Sequence, residues 1–422
     1  MRQSTSFVVV WVALGTVLVF AQSAMFRASR DHAAIQYSTR QPHDVVTLLN
    51  QRIRKGELRL AFDGSRGYLE SVLAALDIPR SSQTLVFSAN SLQREHVSRA
   101  TPRAVYFNDT AAVAWAKGAD SFEAAALDPT QGVVFYSMAQ KQRPAPQFVR
   151  GATCLECHQT AETSGVPGLF AMSVLPLSDD KNDYAQGWAT DHRTPIEDRW
   201  GGWYVTGAQV PIRHLGNVPV AHVPRSYVRA GVAPKLPTGE GAFDTSPYLT
   251  PHSDVTALLV LNHQVHMTNL LTRLGWEARI ATHDAPAAGL PPAVLALARD
   301  VVDYLLFVDE ASLPSPVRGS SGFAQEFSAK GPRDSNGRSL RELDLTRRLL
   351  RYPCSYMIYT AAFDSLPPAG KNAVYERMWA VLSGHDTDKI YASLSLADRR
   401  AIVDILRGTK KDLPAYFQPV TR

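Results

Sequence analysis

Cys154-Leu155-Glu156-Cys157-His158 is the stretch of this chain whose residue types and spacing prescribe a chemistry. Two thiols three positions apart, on one turn of backbone, can each add across one vinyl group of a haem. The imidazole that follows is then held against the iron. The run is therefore the attachment signature of one haem c. Thioethers are expected at Cys154 and Cys157, with His158 as the proximal iron ligand. The chain has 3 Cys and 12 His, so chance would place such a run in roughly 6 of 10,000 chains of this composition. A C-x-x-C pair can also be a redox dithiol or half of a zinc site. A dithiol should follow a strand in a βαβ unit, and these flanks do not read that way. Zinc needs four ligands, and the remaining thiol, Cys354, stands alone in an apolar-aromatic stretch, where it reads as buried and inert.

The other face of the iron decides between electron carrier and enzyme, because an open sixth position invites ligands. Two histidines are candidate distal ligands. His214 lies in a Gly-Asn turn, where the competing reading is a surface-loop histidine. His263 shares an apolar helical face with Leu259, Met267 and Leu270, and there the competing reading is a hydrogen-bonded core imidazole. Met172, Met267 and Met357 sit in apolar runs and read as core. His192, between Asp191 and Arg193, reads as part of a solvent-facing charged turn. Arg199 to Gly207 has the composition of a haem wall. Trp200, Trp203 and Tyr204 could line a macrocycle, and Gly201 and Gly202 permit close backbone approach. Arg193, Arg199 and Arg213 could fork onto propionates. The alternative is a bulged core strand with surface arginines.

The elements that must position these residues change character along the chain. Residues 3–26 carry no charge, and Arg2 precedes them. With small residues at 21–24, residues 1–26 read as an export signal or a membrane anchor, and either places the rest outside the cytoplasm. Residues 27–83 read as a linker and two helices, with apolar spacing over Asp44–Leu58 and Tyr68–Leu76. Residues 84–250 are β-rich. Short runs at Thr84, Ala104, Ala112, Phe122 and Val133, separated by turns, have the spacing of an antiparallel meander, and further runs cover Leu169–Leu177 and Trp203–Thr206. Residues 251–422 read as helical, with a long helix from Asp254, another from Pro292, and a capping-box pattern at Ser339 opening a third to Leu350. Residues 311–338 read as an exposed loop. The fold class is α+β, with a β-rich haem-bearing middle, a helical N-terminal segment and a helical C-terminal part.

Of the 422 residues, 20% are charged and 45% hydrophobic, as in a globular chain, and the net charge is +5. The basic residues are scattered without aromatic interleaving, so no nucleic-acid partner is expected. No phosphate loop, nucleophile triad or second haem motif occurs, which leaves the question of an enzyme open.

Thr84 to Gln93, Pro102 to Asp109, the haem motif, Asp191 to Pro195, Arg199 to Gly207, His214 to Asn217, His263-Gln264 and Arg351 to Tyr359 form a series. It resembles a family of exported bacterial cytochrome c domain-containing proteins, over most of residues 44–385. The resemblance implies haem, export and a long non-standard fold, and no substrate. Ala208-Gln209 departs from the polar Thr-His-Gly-like turn expected there. The first expectation is a monohaem cytochrome that exchanges electrons in the periplasm with a redox partner protein or a small-molecule oxidant or reductant. The alternatives are a haem enzyme or redox or gas sensor with an open distal position, and a binding module with structural haem.

Overall fold

The computed structural model describes residues 26, 28–174, 187–217 and 244–420. The expected export signal or anchor, residues 1–26, lies outside them except for Phe26. Among the described residues no helix is long and apolar enough to cross a membrane.

Helices α1 (Val45–Arg54) and α2 (Leu69–Ala75) come first. Asp44 caps α1, its Oδ1 accepting from the backbone N–H groups of Val46 and Thr47 at 2.8 Å each. The meander follows as β1 (Thr84–Val86), β2 (Arg103–Phe107), β3 (Ala111–Trp115), β4 (Ser121–Asp128), β5 (Gly132–Ala139) and β6 (Val149–Arg150). Neighbours pair antiparallel in chain order. After a one-turn helix α3 (Leu155–His158), strands β7 (Ala171–Val174) and β8 (Gly187–Thr190) form a separate hairpin sheet, and β9 (Trp203–Tyr204) joins the main sheet beside β1. The main sheet thus runs β6-β5-β4-β3-β2-β1-β9. An α+β fold with an antiparallel sheet and helices at both ends of the chain is the observed architecture.

Period-two alternation gives the sheet two apolar faces. Leu85, Ala104, Tyr106, Val113, Trp115, Ala124, Val134 and Tyr136 point to one face, and α1 and α2 close it with Val46, Leu49, Leu69 and Val72. Val86, Val105, Phe107, Ala112 and Leu127 point to the other, against α4 (Val255–Asp284). Most of α4 is buried along its first six turns, its polar residues included. Helices α5 (Pro292–Leu305), α6 (Phe323–Ala329), α7 (Ala361–Asp364), α8 (Pro368–Leu382) and α9 (Leu396–Thr409) complete the C-terminal part around it.

Two sequence expectations give way here. No helix runs from Ser339 to Leu350. Half of the capping box forms, with Ser339 N–H donating to Glu342 Oε1 at 3.0 Å. Asp344 Oδ1 then accepts from Thr346 and Arg347 N–H groups at 2.8 and 2.9 Å, and Leu345 takes φ 56°. A short Asp side chain that offers the backbone these bonds competes with the helix ladder. Second, residues 311–338 are not all exposed loop: α6 buries Phe323 and Phe327 one turn apart.

Asp254 starts α4 and is fully buried. Its Oδ1 accepts from Thr256 and Ala257 N–H groups at 2.8 and 3.3 Å, and its Oδ2 from Ser320 and Ser321 N–H groups at 2.8 and 2.9 Å. One carboxylate therefore serves as helix cap and as anchor for the segment before α6. Asp254→Ala strands four backbone donors, those of Thr256 and Ala257 buried, and is expected to lower the unfolding free energy in urea by about 2–4 kcal/mol. Asp254→Asn, which keeps an acceptor, is expected to lose less than half of that.

Candidate functional site

The C-x-x-C-H run forms α3. His158 N–H bonds the Cys154 carbonyl at 2.9 Å and Gln159 N–H bonds that of Leu155 at 3.1 Å. One turn of helix sets residues three apart on a common side, so the thiols of Cys154 and Cys157 share a side. Cys157 is exposed and Cys154 half-buried. Burial, with the Glu123 carboxylate second, pushes the Cys154 thiol above its usual range.

His158 is held at two points by one residue. Its carbonyl accepts from Gly168 N–H at 2.9 Å, and its Nδ1 lies 2.9 Å from the Gly168 carbonyl oxygen. A carbonyl only accepts, so Nδ1 carries the proton and Nε2 the free lone pair. Burial pushes the imidazole down to about 4, with the Arg103 charge adding to it. At neutral pH the ring is a neutral nitrogen donor with fixed tautomer. The Phe135 and Phe170 rings lie against it, at 4.7 and 5.6 Å between centroids.

The turn packs on the sheet through Ala125, Val133 and Phe135, which cluster with Cys154, Leu155 and Leu169. Ala114 and Ala125 share that sheet face by alternation, with Ala112 beyond them against α4, so the face beside the turn carries small side chains. Arg103 pairs with Glu123 on the same face, and its Nε is buried with no partner. Among the described residues, then, one site offers two reachable thiols, a neutral imidazole with a free lone pair, a flat apolar floor and a guanidinium with an unused donor. That set could hold a haem through thioethers, one axial nitrogen and a propionate.

The other expected site residues lie toward the sheet edge. Arg199, Trp200, Trp203 and His214 cluster around β9, five strand positions from β5 but two from Arg103, since Val86 pairs with both Arg103 and Trp203. Strand β7 runs between the two clusters, with Phe170 against His158 at one end and the Met172 carbonyl accepting from Trp203 Nε1 at 2.8 Å further along. The Trp200 indole N–H donates to Asn262 Oδ1 at 2.9 Å, within the core. Arg199 is buried and donates to the carbonyls of Thr194 and His192 at 2.7 and 2.8 Å. Burial pushes it down to about 10. The close approaches at Gly201 and Gly202 admit the Val174 carbonyl and the Ser88 side chain. The segment is thus a bulged strand edge packed into protein.

His214 is buried edge-on to Trp200, 5.5 Å between centroids, with Nδ1 unpartnered. Burial pushes it down to about 4. His263 is fully buried and has both nitrogens engaged, Nε2 with Ser355 Oγ and Nδ1 with His192 Nδ1, each at 2.7 Å. His192, expected in a solvent-facing turn, is 2% exposed and stacks on Tyr304 at 3.9 Å between centroids. Its flanking charges belong to a turn, but its ring enters the aromatic layer of Tyr304 and Phe307. Cys354 is fully buried, and burial pushes its thiol up to about 12.

Sequence reasoning missed Gly168, Arg103, Phe135 and Phe170 as parts of the haem-motif site. Arg103 had a legible signal: it is a charge that alternates with Ala104 and Tyr106 at the start of a strand. Gly168 had none, since its role is carried by its carbonyl.

Burial holds His263 down to about 3 and His192 well below its usual value, and like charge between them adds to the effect on His192. Both are neutral in the folded state, so the unfolded chain binds more protons as pH falls below about 6.5. Stability is therefore present above that pH and lost below it, by about 1.4 kcal/mol per pH unit for each imidazole. Urea unfolding between pH 7 and 5 is expected to show this acid slope, and His192→Gln/His263→Gln is expected to flatten it even though the variant starts less stable.

No protein-family model matches this chain, and no curated protein or solved structure matches it.

Proposed function

We propose that the protein carries one haem c, bonded through Cys154 and Cys157 and ligated by His158, and that it exchanges electrons outside the cytoplasm with a redox partner protein or a small-molecule oxidant or reductant. The observation that carries this reading is the pair of hydrogen bonds between His158 and Gly168, because the one at Nδ1 leaves Nε2 unprotonated. A metal-ligating histidine commonly donates its other N–H in this way. The sequence of the motif, the uncharged N-terminal run and the resemblance to exported cytochrome c domain-containing proteins support the same reading. A bound haem supplies a one-electron iron couple. Cys154 and Cys157 would attach it and His158 would ligate its iron, with Phe135 and Phe170 lying against that imidazole. Arg103 holds charge at the floor's edge, with one N–H to spare for a carboxylate.

A second reading, a haem enzyme or sensor with an open or displaceable sixth position, is favoured by the placement of the two expected distal imidazoles. His263 has no free nitrogen, and His214 packs on Trp200 beside β9.

The chain made with its own leader in a host that attaches haem outside the cytoplasm is expected to gain the mass of one haem and a c-type reduced spectrum. Cys154→Ser/Cys157→Ser is expected to be colourless. A wild-type product of unmodified mass overturns the proposal. Carbon monoxide added to the reduced protein separates the two readings: a spectral shift marks an accessible sixth position, and no shift marks a closed one. A Cβ at Gly168 would lie 2.1 Å from Asn269 Oδ1, so Gly168→Ala moves the carbonyl that orients His158. It is expected to reduce the haem-bearing fraction several-fold while both thioether cysteines remain.

A further inference from the structure

A second set of donor atoms converges where the N-terminal segment meets the last turn of α4. His32 Nε2 lies 3.3 Å from Asp284 Oδ1, and His283 Nδ1 lies 2.9 Å from the same oxygen. The two rings stand 5.4 Å apart between centroids at 85° to each other. One ligand atom from each of the three residues lies within 4.8 Å of the others. Tetrahedral zinc, with bonds near 2.0–2.1 Å, places its donors about 3.3 Å apart, so the set is already close to one coordination sphere.

Two further observations concern charge. Asp284 ends a 30-residue helix, so it adds a carboxylate to the negative pole of the helix dipole. Among the described residues its ion pairs are with His32 and His283, which are charged only when protonated. No Lys or Arg is paired with it there. The arrangement concentrates negative charge and nitrogen lone pairs with no permanent cation to balance them.

We propose that His32, His283 and Asp284 bind one divalent transition-metal ion, zinc by the character of the donors, with water completing the sphere. Two imidazoles and a carboxylate suit Zn²⁺ over Mg²⁺ or Ca²⁺, which prefer oxygen donors. Binding at Nε2 of His32 puts that ring's proton on Nδ1, so the Ala34 N–H bond to Nδ1, at 3.2 Å, is exchanged for one to water. His283 binds through Nδ1 and keeps its proton on Nε2.

The ion would fasten a segment that also touches the haem-motif site. The Phe26 carbonyl accepts from Gln159 Nε2 at 3.0 Å, and Arg30 Nη1 lies 3.4 Å from Gln159 Oε1. Gln159 directly follows His158. A metal at His32 therefore staples to α4 the strip of chain that backs the C-x-x-C-H turn.

The test uses full-length protein without an affinity tag, stripped with a chelator and titrated with Zn²⁺ near pH 7.5. The background is Cys154→Ser/Cys157→Ser, so that free thiols contribute nothing. One equivalent is expected to bind with a dissociation constant of about 10 μM or tighter, and His32→Ala, His283→Ala and Asp284→Asn are each expected to weaken it by about tenfold or more. All three side chains are partly or largely exposed, so the variants are expected to fold. Zinc is also expected to slow proteolysis of residues 26–40, and His283→Ala to abolish that protection. No binding at this level, or binding that the three variants leave unchanged, overturns the site. Variant-sensitive binding with no change in proteolysis overturns the staple.

Discussion

Both faces of the seven-stranded sheet are apolar, and this constraint organises the rest of the chain. An antiparallel sheet can leave one face in water, but here the alternation that sends Leu85, Tyr106 and Trp115 to one side sends Val86, Phe107 and Leu127 to the other. Two separate layers are required. The short helices α1 and α2 supply one, and the long α4 supplies the other. Because α4 is in turn enclosed by α5 and α8, it cannot be amphipathic, and its polar residues must find partners inside. Asn262, His263, Gln264 and Asn269 each do so, with Trp200, Ser355, Tyr356 and the Leu169 carbonyl. The meander's second layer thereby fixes residues 169–174 and 187–217 as well as the C-terminal helices.

The C-x-x-C-H turn occupies the part of that second face that α4 leaves to it. Phe135 and Ala125 meet Cys154 and Leu155, while Ala112 and Leu127 on the same face meet the α4 core. Leu169 packs into both clusters, and the Asn269 amide holds its carbonyl at 2.8 Å. The loop that carries Gly168 is therefore tied to α4 one residue beyond the contact with His158. Rigidity at the site comes from this tie, since α3 itself is one turn long and has no side-chain cap.

The meander, the α1 and α2 helices and the start of α4 were legible in the sequence because period-two and helical alternation dominate those segments. Ser253 or Asp254 read as the cap ahead of an apolar run, and the structure shows Asp254 capping. Strand β8 was not legible: four residues, Gly187–Thr190, carry too little pattern and pair only with β7. Ser339 misled because a capping box specifies a helix start and says nothing of Asp344, whose side chain ends the helix before it forms. At the site, the motif residues were legible as a unit because they are adjacent in sequence, and the structure folds them into one turn of helix. The wall and distal residues were read from composition, and composition does not report which strand of a sheet an aromatic segment lies beside. Trp200 and Trp203 are aromatic for the β9 edge.

The histidines show why residue type alone underdetermines function here. His158, His214, His192 and His263 are all held in the neutral form chiefly by burial. What separates them is the fate of each lone pair. In His263 both nitrogens are engaged by protein groups, so the ring is a connector between α4, the Ser355 turn and His192. In His192 one nitrogen is engaged and the other is buried without a partner, enclosed by Tyr304 and Phe307. In His158 the proton is committed to a carbonyl and the lone pair is left over on a ring that keeps part of its surface exposed. A neutral imidazole with a fixed tautomer and a lone pair that no protein group engages is the one of the four that the proposed haem could use, beside the thiols of Cys154 and Cys157.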